Sequence, residues 1–119
     1  MRVRWNKQSK EQLIRAASYI RHEFGQESMN YFMAEMKRTN RLLEKNPHLG
    51  PVEPLLSDLP SKYRSIVVCS YNKIVYRIVD KHIEVTALWD TRREPNNQIE
   101  QTINQHPNKK NRSSKKRSG

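Results

Sequence analysis

The chain of 119 residues is long enough for one compact domain, and its formal net charge of +11 favours an anionic partner such as nucleic acid or an acidic protein. Its single cysteine, Cys69, excludes an internal disulfide and is expected to be a buried small hydrophobe. No apolar run approaches membrane-spanning length, so we expect a cytoplasmic protein without a membrane partner.

The first 45 residues read as a strand followed by two helices. Residues 3–5 predict a short strand, and Asn6 or Ser9 offers a side-chain oxygen to cap a helix. From 8 to 24, and again from 26 to 45, apolar residues recur with helical period, and Gly25 fits the stop between them. The apolar positions are Leu13, Ala17, Ile20 and Phe24 in the first helix and Met29, Phe32, Met36 and Leu43 in the second.

The second half predicts strands. Three prolines and a glycine make residues 46–54 a loop, and β-rich runs follow at 63–70, 74–79 and 83–89. Only a few residues separate these runs, which requires antiparallel neighbours. The predicted fold class is α+β, with the order β-α-α-β-β-β and a helical hairpin packed on a small twisted antiparallel sheet.

The composition changes after Pro95. Residues 1–95 carry 17 basic and 11 acidic residues, a net charge of +6, whereas residues 96–119 carry six and one, a net charge of +5. The tail has almost no apolar residues, so we expect a basic, disordered segment outside the domain at 1–95. It could make non-specific contacts with nucleic acid or act only as a solubilising tail. Removing the residues after Gln98 should change stability by no more than about 1 kcal/mol.

Chemistry-bearing motifs are few. The four histidines are widely spaced, and three glycines cannot form a phosphate-binding loop, so we expect neither a metal nor another cofactor. The informative residues are basic and lie on the predicted strands and just after them: Arg64, Lys73, Arg77, Arg92 and Arg93. In an antiparallel meander, the turn at 71–73 and the exit at 90–93 lie at one end of the sheet. Guanidinium groups there suit phosphate or carboxylate recognition.

Several stretches together resemble the RelE/ParE superfamily of toxins from type II toxin–antitoxin modules. They are "VRW" before two helices, the loop "NPHLGPVEPLL", the segment "YRSIVVCSYNKIVYRI" and the closing "WDTRREP". The resemblance covers residues 1–95 and implies the β-α-α-β-β-β fold. It also implies a cognate antitoxin as partner and growth inhibition of the plasmid-stabilisation type.

The superfamily has two branches with different targets. In the RelE-like branch, basic residues on the sheet hold mRNA in the ribosome for cleavage, and Arg64, Lys73 and Arg92 match these in type. The tyrosine expected after the last arginine is missing: Gln98 stands there, and His106 lies in the tail. Because cleavage needs a general acid and base, this favours the ParE-like branch, which binds DNA gyrase without cutting nucleic acid.

The preferred hypothesis is therefore a toxin that binds DNA gyrase or a related topoisomerase. In this interpretation Arg64, Lys73, Arg77, Arg92 and Arg93 are target-binding residues and the protein is not an enzyme. The first alternative is a ribosome-dependent mRNA endonuclease, with Arg64, Lys73 and Arg92 as catalytic residues. The second is a basic nucleic-acid-binding module without toxin activity.

Overall fold

The computed structural model describes residues 1–93 and Ile99. The α+β class and the predicted order of elements are confirmed. The observed ends of the helices and strands lie within two residues of the predicted ends. A short 3-10 helix, Pro54–Leu56, is an addition to the predicted elements. The elements are β1 (Arg2–Trp5), α1 (Lys7–Phe24), α2 (Gln26–Lys45), β2 (Arg64–Val68), β3 (Asn72–Val79) and β4 (His82–Asp90).

The sheet has the strand order β1-β4-β3-β2 and is mixed. The three hairpin-linked strands are antiparallel, as predicted. β1, however, pairs in parallel with β4, with Arg2 opposite His82 and Trp5 opposite Val85. The helical hairpin between β1 and β2 is long enough for a parallel arrangement, which a tight turn could not allow.

The two helices cover one face of the sheet and form the main core. Their buried Phe32, Met36 and Leu43 pack against Ile74 and other strand residues. The Asn6 side chain caps α1 by accepting a hydrogen bond from the Ser9 amide at 2.8 Å. Gly25 ends α1 with a φ of 100°, a conformation that glycine adopts without strain.

Phe24 and Cys69 are less buried than the sequence predicts. Phe24 belongs by period to the apolar stripe of α1, yet it is 66 % exposed at the last position of the helix. Cys69 is only half-buried, in the turn after β2, where it packs at the edge of the main core. Burial raises the pKa of its thiol.

The opposite face of the sheet is covered by the loop between α2 and β2. Leu56 and Tyr63 from this loop bury Val75, Ala87 and Trp89, and the partly buried Leu59 packs against them. The partly buried Ile99 packs against the same cluster. The rest of the predicted tail lies outside the described residues, so the boundary at residue 95 and the disorder of the tail stay predictions.

Candidate functional site

The closing arginines lie at one end of the sheet, beside the β2–β3 turn. Asn72 pairs with Asp90, and the Thr91 amide donates to the Tyr71 carbonyl at 2.7 Å, so the turn and the chain exit are adjacent as the meander predicted. The Arg92 guanidinium donates to both Asp90 carboxylate oxygens at 3.0 and 2.9 Å. It also lies over the Tyr71 ring, 4.5 Å from its centroid.

These contacts orient an exposed cation. The hydrogen bond from the Arg92 side chain lowers the pKa of Asp90, so the pair stays charged across the physiological range. Arg93 is also exposed, and its amide donates to the Asp90 carbonyl at 3.0 Å. Stacking on Tyr71 restricts the Arg92 side chain, which reduces the entropy that a partner must overcome on binding.

Arg92 and Arg93 line a cleft of about 830 Å³ between the helical hairpin and this end of the sheet. A third cation, Arg15 of α1, lines it from the helical side. Four aromatic side chains, each between 50 and 66 % exposed, line the same cleft: Tyr19, Phe24, Tyr31 and Tyr71. Exposed aromatic rings beside arginines are typical of protein-binding surfaces.

Lys73 lies near this end of the strands but on the other face of the sheet, where its ammonium is already paired with a carboxylate. Its ammonium donates to Glu53 at 2.9 Å and lies 5.8 Å from the centroid of Trp89. Glu53 is 1 % exposed and also accepts from the Ser65 hydroxyl at 2.7 Å and from the Leu55 amide at 3.0 Å. Lys73 thus helps to hold the covering loop on the sheet.

Electrostatics explains why Glu53 can be buried as a carboxylate. Burial alone would raise its pKa, but the hydrogen bonds from Leu55, Lys73 and Ser65 outweigh that effect and lower the pKa overall. Sequence reasoning missed Glu53. The available signal was an acid between Val52 and Pro54 in an otherwise apolar and proline-rich loop.

Arg64 and Arg77 both lie towards the far end of the sheet, where Arg64 pairs with Tyr76, the chain neighbour of Arg77, across the β2–β3 ladder. Both line a pocket of about 430 Å³ together with Lys62 and His48. The three residues proposed for RNA cleavage therefore lie in three places. Arg64 is in this pocket, Lys73 is on the covered face, and Arg92 is at the opposite end.

Sequence reasoning also missed the aromatic lining of the cleft. The detectable signal was that Tyr19 and Tyr31 are large side chains outside the apolar stripes of their helices. Within residues 1–93 and Ile99, no three His, Cys, Asp or Glu side chains come together to hold a metal ion. Neither of the two described α-helices is long and apolar enough to cross a membrane.

The fold and the cleft define a class: a small basic α+β protein with a helical hairpin on a mixed sheet and an arginine pair after the last strand. The model of the ParE toxin of the type II toxin–antitoxin system, parDE, matches residues 3–95. The chain belongs to this family. Membership implies an antitoxin as partner. A search of curated proteins finds no match.

Solved structures show the same fold. A chain of the chromosomal ParDE system from P. aeruginosa has a TM-score of 0.62 at 15 % identity, covering 76 % of this chain and 95 % of that one. The YoeB/ParE toxin from Agrobacterium tumefaciens has a TM-score of 0.52 at 19 % identity, with coverages of 76 and 98 %. The YoeB dimer from Staphylococcus aureus has a TM-score of 0.51 at 19 % identity, with coverages of 73 and 92 %.

Proposed function

We propose that this ParE-family toxin inhibits growth by binding DNA gyrase or a related topoisomerase, and that it does not cleave RNA. The observation that carries the proposal is the arginine pair, Arg92 and Arg93, at the rim of an aromatic cleft, with the Arg92 side chain oriented by Asp90 and Tyr71. Such a surface suits recognition of a protein, in which the rings bury apolar area and the arginines make charge-assisted contacts.

The separation of the cations argues against the nuclease alternative. Cleavage by 2′-hydroxyl attack needs phosphate-binding cations and acid–base groups around one phosphate. Arg64 and Arg92 lie at opposite ends of the sheet, and Lys73 is paired with the buried Glu53. Three groups so arranged do not converge on a single scissile bond.

The target is tested with two assays on one set of proteins. Wild-type toxin should inhibit supercoiling by purified gyrase, and primer extension should show intact mRNA in cells that express it. Arg92→Ala with Arg93→Ala should weaken both toxicity and supercoiling inhibition roughly tenfold or more, as for charged residues in an interface. Arg2→Ala with Arg4→Ala removes two exposed arginines from β1 and is the matched control. Codon-positioned mRNA cuts with normal supercoiling would refute the proposal.

The cleft itself is the proposed docking site of the antitoxin. An amphipathic segment with acidic residues would place apolar side chains on the rings of Phe24 and Tyr31 and carboxylates beside Arg15 and Arg92. Occupation of the cleft would then cover Arg92, which explains neutralisation by masking of the target-binding surface. The net charge of +11 also favours an acidic partner segment.

Antitoxin docking is tested by paired substitutions on the helices. Tyr31 and Ile14 are equally exposed, at 64 %, but only Tyr31 lines the cleft. Tyr31→Glu should weaken antitoxin affinity by at least tenfold, whereas Ile14→Glu should change it by less than about threefold. The measurement is titration calorimetry with the product of the adjacent reading frame. Equal effects of the two substitutions would exclude the cleft as the docking site.

A further inference from the structure

The pocket at the far end of the sheet contains two arginines whose orientation is fixed. Nη1 of Arg64 donates to the Gly50 carbonyl at 2.8 Å. Nε of Arg77 donates to Glu84 at 2.8 Å, and its Nη1 donates to the Ser61 hydroxyl at 2.8 Å. These bonds anchor each guanidinium through part of its donor set, and Nη2 of each makes no hydrogen bond to the part of the chain that the structure describes, so it can donate to a ligand.

The pocket has an excess of positive charge. Lys62 is exposed at its rim and makes no hydrogen bond or ion pair within the described part of the chain. Lys62, Arg64 and Arg77 thus line a cavity in which the described lining residues include one carboxylate, that of Asp80. Counting Glu84, which is paired with Arg77, still leaves a positive charge.

A phosphate group fits this arrangement. Two oriented guanidinium groups and a flexible ammonium can share the two non-bridging oxygens of a phosphodiester, because each of these oxygens accepts more than one hydrogen bond, and guanidinium geometry suits such oxygens. The domain at 1–95 carries a net charge of +6 without the tail, so its field attracts a polyanion. The pocket lies at the opposite end of the sheet from the aromatic cleft, so a ligand here leaves the cleft open.

We propose that the pocket formed by Lys62, Arg64 and Arg77 binds a phosphate of the DNA backbone. The biological setting rests on the function proposed above, because a toxin that acts on a topoisomerase meets that enzyme on DNA. The toxin would then contact the enzyme through the cleft end of the sheet and the DNA through the other end. DNA binding by the pocket is measurable without the enzyme, so the two proposals can fail separately.

The test is fluorescence anisotropy of full-length toxin with a labelled 20-base-pair duplex over a range of salt concentrations. Each phosphate contact contributes about 0.9 to the slope of log affinity against log salt. Lys62→Gln should therefore reduce the slope by about 0.9 and weaken binding about eightfold at 0.1 M salt. Lys62→Gln with Arg64→Gln should weaken binding further but reduce the slope by no more than about 0.9 in total, because both cations contact the same phosphate. The basic tail is present in every variant, so its contribution cancels.

Lys37→Gln is the matched control, since Lys37 is exposed on α2, away from the pocket, and should leave the slope within about 0.3 of the wild-type value. Lys62 is exposed and makes no hydrogen bond or ion pair with residues 1–93 or Ile99, so its variant remains informative if the double variant does not fold. Equal slopes for Lys62→Gln and Lys37→Gln would overturn the proposal. It would also be overturned by an effect seen only with single-stranded RNA, or by stabilisation with orthophosphate while the DNA slope stays unchanged.

A gyrase assay in parallel separates the two proposals. If Lys62→Gln reduces the DNA slope while wild-type toxin leaves supercoiling unaffected, the phosphate site stands and the topoisomerase target falls. If wild-type toxin inhibits supercoiling and the slope is unchanged by Lys62→Gln, the reverse holds. If both stand, Lys62→Gln should raise the toxin concentration needed for half-inhibition severalfold.

Discussion

Replacing Lys73 with methionine distinguishes a structural lysine from a target-binding one. Methionine keeps most of the aliphatic stem but removes the ammonium that donates to the buried Glu53 at 2.9 Å. Breaking a buried ion pair by removing one partner typically costs about 3–5 kcal/mol. Here the Lys73 side chain is 22 % exposed and Glu53 keeps its bonds to Leu55 and Ser65, so we expect a loss of about 2 kcal/mol at pH 7.

The loss should depend on pH in a direction that the pKa of Glu53 sets. Its pKa is below the usual 4.5 in the folded protein, so the carboxylate stabilises the fold fully above pH 4.5 and progressively less as pH falls through the lowered value. Protonated Glu53 no longer needs the ammonium. The difference in stability between wild type and Lys73→Met should therefore shrink as the pH falls below 4.5.

The assay is urea denaturation followed by far-UV circular dichroism at pH 7 and at pH 3.5. In a thermal melt of the same proteins, a loss of about 2 kcal/mol corresponds to a fall of roughly 10 °C in the melting temperature of a domain of this size. Lys37→Met, an exposed lysine without a bonded partner in the described structure, should stay within about 0.5 kcal/mol of wild type. Glu53→Gln with Lys73→Met should cost less than the sum of the single substitutions.

The reasoning is refuted if Lys73→Met unfolds like wild type at pH 7 and yet abolishes toxicity. That result would mean that the ammonium serves the target and not the covering loop. It would revive Lys73 as a member of the target-binding or catalytic set. Loss of stability with toxicity reduced only in proportion to the folded fraction is the expected outcome.

Three further substitutions test the packing. Tyr76→Phe removes a hydroxyl that accepts from the Gly50 amide at 2.9 Å, so it should cost about 1–3 kcal/mol in urea denaturation, and a cost near zero would contradict the role of this bond. Gly25→Ala meets no atom within 4 Å but adopts a φ of 100°, so strain alone should lower stability by about 1 kcal/mol, measured thermally. Ile99→Ala should lower the free energy of unfolding by about 1 kcal/mol, since Ile99 packs against the cluster around Trp89 on the loop-covered face of the sheet. Truncation after Gln98 should lower it by the same amount, and a larger loss would mean that residues after Ile99 also pack on the domain.

Local pattern was sufficient for most of the secondary structure. The helical period over α1 and α2 depends on residues three and four positions apart, so it can be recognised from the sequence alone. The same holds for Asn6 as the cap of α1 and for Gly25, whose positive φ is a property of one residue. The short gaps between the strands also forced the antiparallel meander, because no other pairing can close them.

Pairings between distant residues were decided only by the tertiary structure. The parallel placement of β1 beside β4 depends on how the helical hairpin packs, which no local pattern encodes. The face on which Trp89 lies depends on a bulge in β4: Val75 pairs with Ala87 while Tyr76 pairs with Val85, so the alternation of faces slips by one residue.

The same reason applies to the candidate sites. The sequence placed five basic residues on the strands and their exit as one group of cations, because it shows residue type and not the direction of each side chain. Arg64 and Arg77 line one pocket, while the covering loop brings Glu53 to Lys73, twenty residues away. The surroundings of each cation are visible only in the folded chain: the Arg92 side chain is exposed beside Asp90, whereas Lys73 is paired with the buried Glu53.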